Sequence, residues 1–467
     1  MWQTTEIIDI HWPQAAVFDY LAHFDNIGEW DDTVISVRPV AAGAPAIGSR
    51  YRLHVGFGPQ RVPMTYEIMK MAPPHELLLR GRGESFTATD KISLTTMSGV
   101  TRINYQVSLE FKRRPPVWAT RLVQHLFLKN VRRAAKRLAQ VFNGAAPLPS
   151  VTPAVRIIDG AIFPGMAGFT RLGYRLAADH RPFASARLWD RTVVITGATG
   201  GIGLAAAQKL RRLGARLIIV GRDPEKTAAV CRQLEDIPGR GAVEMAVADM
   251  SVLRDVRRLA AELGDRLPEI HVLINNAGAL FNQREVTVEG IEKSFAVNLL
   301  GPYALSRLLL PTLRRSRPAR IINVASGGMY TQAIDMDDLE SVKTPYNGPG
   351  AYARAKRGMA IVSREMGKTH TSEGVSVHCM HPGWVDTPGL RHALPGFYDR
   401  IGSWLRSPDE GADTIVWLSG AAEGEFTSGL FWRDRRPRLE YVFPGTREAP
   451  GVPSLLSSAL DRYLEAD

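Results

Sequence analysis

The stretch Thr192-Val193-Val194-Ile195-Thr196-Gly197-Ala198-Thr199-Gly200-Gly201-Ile202-Gly203 decides how this chain is read. A β-branched apolar run passes into glycines at 197, 201 and 203, and a helical pattern follows from Ile202 to Leu213. So tight a turn excludes side chains, and it lets backbone N–H groups approach a pyrophosphate at a helix N-terminus. The strand before it and the helix after it supply the context this motif requires. The stretch reads as a phosphate cradle for a dinucleotide.

Far downstream, Tyr352-Ala353-Arg354-Ala355-Lys356 sets a tyrosine and a lysine four residues apart, on one helix face. A tyrosine ordinarily titrates near ~10. A neighbouring positive charge favours the phenolate, so Lys356 is expected to lower the Tyr352 pKa and make it a usable proton donor or acceptor. Cradle and proton pair together predict a hydride-transfer enzyme. Around them Arg191–Thr196, Arg216–Val220, Ala242–Ala248, His271–Asn275, Arg320–Ala325 and Val375–Met380 alternate with helical spans. That alternation predicts an α/β fold with a parallel, doubly wound sheet of the Rossmann kind.

The second of these strands ends Val220-Gly221-Arg222-Asp223. An NAD site usually places a carboxylate on the adenosine ribose near this point, whereas an arginine pairs with a 2′-phosphate. Arg222 therefore predicts NADP(H). The alternative is that Arg222 is an exposed turn residue and Asp223 takes the ribose.

The ordered set Thr196-Gly197-x-x-x-Gly201-x-Gly203, Asn275-Asn276-Ala277-Gly278, Val297-Asn298, Tyr352-x-x-x-Lys356 and Pro382-Gly383-Trp384-Val385-Asp386-Thr387 resembles the short-chain dehydrogenase/reductase family. The likeness spans residues 190 to about 440. Ser326-Gly327-Gly328-Met329, Met380-His381-Pro382-Gly383-Trp384 and Ser428-Gly429-Leu430-Phe431 before Asp434-Arg435-Arg436-Pro437 bring it nearest to the branch named dehydrogenase/reductase member twelve. The resemblance implies catalytic roles for four residues. Tyr352 would exchange the proton and Lys356 would hold the nicotinamide ribose. Ser326 would bond the developing oxyanion, and Asn298 would anchor a relay water. It also implies cofactor contacts at Gly197, Thr199, Gly200, Gly201, Ile202, Gly203, Arg222, Asp249, Met250, Asn275, Ala277, Gly278, Pro382, Gly383, Val385 and Thr387. No metal is implied.

Ser326 and Tyr352 stand further apart than in compact members of the family. Ser341 is the alternative serine, but Asp337, Asp338, Glu340 and Lys343 around it read as exposed. Trp384 to Trp404 reads as a substrate loop, with Leu390, Leu394, Phe397 and Tyr398 forming an apolar wall that Met329 and Tyr330 are expected to face. Such a wall suits a hydrophobic carbonyl or alcohol. Core or dimer contact is the plainer reading of the same residues.

Upstream, Thr4–Ile10, Thr33–Val37, Arg50–Val55, Met64–Met69, Glu76–Arg82, Asp90–Thr95 and Arg102–Glu110 read as strands. A short helix carries Val17, Phe18 and Leu21, and a long one carries Trp118, Leu122, Leu126, Val131, Ala135, Leu138 and Phe142 at helical spacing. This α+β layout, with Trp12-Pro13 at its entry and Asn26-Ile27-Gly28-Glu29-Trp30 after it, resembles the helix-grip domains of the START and polyketide-cyclase superfamily (SRPBCC). The resemblance implies an apolar-ligand cavity. No catalytic residue stands out there, and His11, His23 and His54 read as solvated or structural. The Pro- and Gly-rich run 143–153 marks a boundary. The expected domains are 1–146, a linker 147–187 and 188–467. Within the linker, Ile162, Phe163, Met166, Phe169, Leu172, Tyr174 and Leu176 among Arg171 and Arg175 suggest domain packing or a peripheral membrane contact.

Composition bounds the rest. A chain of 467 residues predicts two or three domains. Only Cys231 and Cys379 are present, which excludes a disulfide framework and fits the cytoplasm. Ile157 to Phe169 is shorter than the ~20 apolar residues of a spanning helix, and no leader pattern opens the chain. The net charge of +11 suits anionic partners such as NADP(H), and no nucleic-acid motif accompanies it. The expectation is an NADP(H)-dependent oxidoreductase behind an apolar-ligand domain, with a homo-oligomer kept open. The alternatives are a lipid-binding or transfer protein with an NADP(H)-sensing domain, and a polyketide cyclase fused to a ketoreductase.

Overall fold

The computed structural model describes residues 2–10, 14–41, 45–57, 60–97, 100–112, 117–143, 168–177, 188–189, 191–239, 241–316, 318–421, 424 and 427–465. His11, the Trp12-Pro13 entry and linker residues 144–167 and 178–187 lie outside them. The chain forms two compact units, 1–148 with 181–186 and 149–180 with 187–467.

The first unit is an antiparallel sheet gripping a helix. Its strands are β1 (Trp2–Ile10), β2 (Val34–Pro39), β3 (Arg50–Phe57), β4 (Gln60–Ala72), β5 (Glu76–Gly83), β6 (Phe86–Met97) and β7 (Val100–Phe111), in the order β1-β7-β6-β5-β4-β3-β2. Side chains alternate between faces, so one face of β7 buries Ile103, Tyr105, Val107 and Leu109. Helix α1 (Gln14–Ala22) buries Val17, Phe18 and Leu21, and a short helix α2 (Ile27–Trp30) follows. Helix α3 (Val117–Asn143) closes the concave face by packing Phe127, Val131, Ala134, Leu138 and Phe142 into the same core.

The second unit is doubly wound. Strands β8 (Thr192–Thr196), β9 (Arg216–Gly221), β10 (Val243–Val247), β11 (Val272–Asn275), β12 (Ala319–Val324), β13 (Val375–Met380) and β14 (Phe431–Arg433) pair in parallel in the order β10-β9-β8-β11-β12-β13-β14. The order reverses beside β8, where a crevice opens at the C-terminal strand ends. Strand β15 (Arg436–Pro437) adds an antiparallel edge. The sequence does not announce this final pair, which is too short to show alternation. Helix α4 (Arg171–Ala177) precedes the sheet, and α5 (Gly201–Arg212), α6 (Pro224–Glu235), α7 (Leu253–Arg266), α8 (Gly301–Arg315), α9 (Gly348–His370), α10 (Pro408–Gly420) and α11 (Val452–Glu465) follow in order.

The stretch read as linker is partly built into this second unit. The fully buried Arg406 donates to the carbonyls of Gly168, Phe169 and Thr170 and pairs with the equally buried Asp434 at 2.6 Å. On α4, Tyr174 is buried while Leu172 and Leu176 face outward. No helix among the described residues is long and apolar enough to cross a membrane.

Candidate functional site

The glycine turn is held in shape by the next motif along the sheet. Gly197 has φ +66°, and a Cβ there would lie 2.7 Å from the Ala277 Cα. At Gly203 a Cβ would lie 2.4 Å from Asn276 Nδ2 and 2.5 Å from the Gly197 carbonyl oxygen. Asn276 donates to the carbonyls of Thr196 (2.9 Å) and Gly197 (3.0 Å), while Thr196 Oγ1 accepts from the N–H groups of Asn276 and Ala277. Sequence reading assigns no role to Asn276 and Thr196; their one signal is their place inside the two motifs. Gly200 heads α5 with no side-chain cap and open space at its Cβ position. The first-turn N–H groups are thus presented to an anion, which fits a dinucleotide pyrophosphate.

At the end of β9, a Cβ on Gly221 would lie 2.2 Å from Thr227 Oγ1 and 2.9 Å from Thr199 Cγ2. A carboxylate-bearing side chain cannot stand at 221. Asp223 caps α6, accepting from the Lys226 N–H at 3.0 Å, and that bond and the Lys226 charge hold its carboxyl below the usual range. Arg222 is exposed. The alternative that gave Asp223 to the ribose loses ground, because its carboxylate is already engaged.

Asp249 accepts from the Ser251 N–H and Oγ at 2.8 and 2.7 Å, which fixes the turn after β10, and Met250 beside it is buried. Asn275 does not present its side chain to the crevice. Its Nδ2 donates to Ser306 on α8 (2.9 Å) and Asn323 on β12 (2.7 Å), and Asn323 donates in turn to Ser363 on α9 (2.8 Å). This buried polar chain ties the sheet to the helix that carries Tyr352 and Lys356.

The four expected catalytic residues converge past the end of β12. Lys356 Nζ, buried, donates to the Val324 carbonyl at 2.9 Å. Ser326 follows two residues later, with its hydroxyl beside that of Tyr352. Asn298 lies in a π-helical turn, Ala296–Leu300, a local irregularity that frequently marks functional positions. Its amide accepts from the Ala279 N–H at 3.2 Å and donates to the Ala279 carbonyl at 2.8 Å. Gly278 makes room for the pair, since a Cβ there would lie 2.7 Å from Asn298 Oδ1 and 3.1 Å from Lys356 Nζ.

The electrostatics correct one expectation. Burial pushes the Tyr352 phenol up, and the Ser326 hydroxyl only partly offsets it. Burial also brings Lys356 down to about 8. Desolvation dominates at both groups. Tyr352 therefore rests as the neutral phenol, a form ready to donate.

Two further expectations change. Ser341 is buried, not exposed. Arg354 donates to its hydroxyl, and Asp338, also buried, accepts from the N–H groups of Val342 and Lys343. That capped loop accounts for part of the long interval from Ser326 to Tyr352. Met329 and Tyr330 do not face the substrate loop. They pack with Ala325, Ala360, Cys379 and Phe431, and Tyr330 donates to the Leu439 carbonyl at 2.8 Å. Phe169 takes the place expected of them, with ring centres 6.0 Å from Tyr330 and 5.4 Å from Trp384.

The Pro382–Gly383 turn is buried under Arg406, which donates to the Pro382 carbonyl at 3.2 Å. Gly383 has φ +84°, and a Cβ there would strike the Arg406 guanidinium at 2.2 Å. Val385 is buried, and Thr387 caps the helix Pro388–Ala393 with its methyl 3.2 Å from the Cβ position of Gly201. The glycine turn and the turn after β13 therefore meet. Leu390, Leu394, Phe397 and Tyr398 are half-buried beyond it, and Trp404 is exposed.

Residues 191–395 match the family model described as short chain dehydrogenase, and residues 1–143 match that described as polyketide cyclase / dehydrase and lipid transport. Dehydrogenase/reductase SDR family member 12 of Bos taurus is 36% identical over 276 residues, 58% of this chain and 86% of that protein. The putative daunorubicin C-13 ketoreductase DnrU of Streptomyces sp. (strain C5) is 39% identical over 247 residues, 53% of this chain and 84% of that protein. Mouse polyprenol dehydrogenase is 33% identical, covering 56% of this chain and 80% of its own length. Among solved structures, the Pseudomonas aeruginosa RhlG/NADP complex aligns at 29% identity with a TM-score of 0.44, over 52% of this chain and 94% of that one.

Proposed function

We propose, from the premise that this chain belongs to the short-chain dehydrogenase/reductase family, that it is an NADP(H)-dependent oxidoreductase acting on a hydrophobic carbonyl or alcohol. The observation that carries this reading is the convergence of Asn298, Ser326, Tyr352 and Lys356 beside the glycine turn. When bound, the nicotinamide supplies the hydride. Gly197, Gly201 and Gly203 would let the backbone close on the pyrophosphate, and Arg222 would pair with the adenosine 2′-phosphate. Tyr352, resting as the phenol, gives its proton to the substrate oxygen, which suits carbonyl reduction. Ser326 orients that hydroxyl and bonds the developing oxyanion. Lys356 would hold the ribose, and Asn298 would position a water that returns a proton to Lys356.

The apolar substrate class is supported by the half-buried Leu390, Leu394, Phe397 and Tyr398, and by relatives named for polyprenol and retinol. The first unit captures an apolar molecule in the cavity between its sheet and α3. Leu172 and Leu176 beside Arg171 and Arg175 leave a peripheral membrane contact as part of the same reading. A second reading, a cyclase fused to a ketoreductase, is favoured by one observation, that Asp31, Tyr66, Asp90 and Tyr105 all line the first cavity.

The test is NADPH oxidation across aromatic, steroid, retinoid and long-chain carbonyls, with NADH as comparator and Tyr352→Phe alongside. Turnover that prefers NADPH and needs Tyr352 is the expected result. Tight NADPH binding with no turnover on any member would overturn the assignment in favour of a sensor.

A further inference from the structure

The first unit's cavity is mostly apolar. Leu53, Met64, Phe86, Val107 and Phe127 help form its wall, and among the described lining residues there is no Arg, Lys or His. Its most deeply buried polar group is built from three strands. Tyr105 on β7 donates to Asp90 Oδ1 on β6 at 2.8 Å. Tyr66 on β4 faces the same carboxyl, although β5 runs between them. It reaches because Gly81 on β5 stands opposite it, and a Cβ on Gly81 would lie 2.3 Å from the Tyr66 ring. Asp90 is 3% exposed, and its Oδ2 is buried with no hydrogen-bond partner. A second carboxylate, Asp31, also lines the cavity and is held by the Thr33 N–H and hydroxyl at 2.9 and 2.6 Å.

An unpaired buried acceptor costs free energy until a donor meets it. The Tyr105 hydrogen bond keeps the carboxyl fixed, so the free acceptor always faces the same way. We propose that Asp90 Oδ2, framed by Tyr66 and Tyr105, is a docking point for the hydroxyl hydrogen of an uncharged alcohol or phenol with an apolar body. Carboxylate ligands such as fatty acids are excluded. They bring no donor, they meet Asp31 and Asp90, and no described lining residue offers a compensating cation. The cavity volume of about 90 Å³ is below the ~150 Å³ that takes benzene, so it encloses the hydroxyl end of such a ligand and less than one full ring. The inference concerns the first unit alone and does not rest on the redox reading.

Calorimetric titration of the full chain with 2-naphthol, 2-methoxynaphthalene and 2-naphthoate tests it. The three share a ring system and differ in donor and charge. The expected result is 2-naphthol at least ~10-fold tighter than either companion, the scale of one hydrogen bond to a charged group. Asp90→Leu should abolish that preference while leaving 2-methoxynaphthalene affinity unchanged. The isosteric Asp90→Asn should reduce it to a few-fold, which serves if the leucine variant does not fold. Asp31→Asn should raise 2-naphthoate affinity alone. Equal binding of all three, a preference that survives both Asp90 variants, or no binding would overturn the proposal. A preference lost in Tyr352→Phe but kept in the Asp90 variants would place the ligand in the second unit and overturn it equally.

Discussion

The two units build polar sites by opposite means. In the second unit the site is written in short strings, because backbone does much of the work. Gly197, Gly201 and Gly203 shape one turn, and Tyr352 and Lys356 share one helix. In the first unit the polar cluster is made of Tyr66, Asp90 and Tyr105, scattered along the chain and joined only by strand register. A doubly wound sheet delivers its loops to one edge, so chemistry concentrates in motifs. An antiparallel sheet around a helix turns a whole face inward, so any inward position can carry a polar group.

The largest effect tests the motif side. Tyr352→Phe should reduce kcat by ~10²–10⁴, the range for losing a general acid, with NADPH affinity little changed. Turnover surviving this change would mean that the local motif is not where the proton comes from.

The next effect belongs to the cluster. Burial raises Asp90 to about 6 from its ordinary 3.8, and it raises Asp31 as well. A raised carboxyl favours the protonated folded state. Its stabilisation is complete below the unfolded value near 4 and is lost as pH rises through about 6. The first unit should therefore lose roughly 3 kcal/mol between pH 4 and 7 from Asp90. Tyr66 and Tyr105, both raised by burial, stay neutral across that window, and Asp31 acts in the same direction. Thermal unfolding of wild type and Asp90→Asn across pH checks it. A first-unit transition that weakens with pH equally in both would sink the assignment to Asp90.

A matched pair of glycines sharpens the comparison. In Gly203→Ala the new methyl meets the Gly197 carbonyl and the committed Asn276 amide, so backbone must move. A cost of about 2 kcal/mol is expected, with a loss of NADPH affinity. In Gly81→Ala the methyl meets a tyrosine ring, which can swing away. About 1 kcal/mol or less is expected, together with loss of the 2-naphthol preference. Chemical denaturation and the same titrations separate the two. Equal costs would erase the distinction between a backbone-built and a side-chain-built site.

That distinction also governs what is legible in the amino-acid sequence. The strands of both units, the long helix and the four converging residues can be read there because periodicity and motif order are local. The Asp90 cluster cannot, because Tyr66 reaches it only over Gly81, and nothing near Asp90 in the chain announces a partner. For Tyr352 the sequence misleads about charge, since spacing shows that Lys356 is near and cannot show that both are buried. Ser341 misleads for a related reason. Its acidic neighbours look solvated in sequence, yet Asp338 spends its charge on two backbone N–H groups and goes inside.

The smallest effect concerns the cofactor's identity. Gly221 leaves no room for a carboxylate, and Asp223 is taken by the cap of α6, so discrimination falls to the exposed Arg222. An exposed arginine–phosphate pair is screened and worth about 1 kcal/mol. Arg222→Ala should therefore raise the NADPH KM by ~5–10-fold and leave NADH unchanged, with the gap narrowing as salt increases. A salt-independent effect would point instead to packing by the arginine stem. An NADH preference in the wild type would show that the end of β9 does not choose the cofactor by charge, and that the one cofactor contact read from a lone exposed side chain was as poorly marked in sequence as the cluster in the first unit.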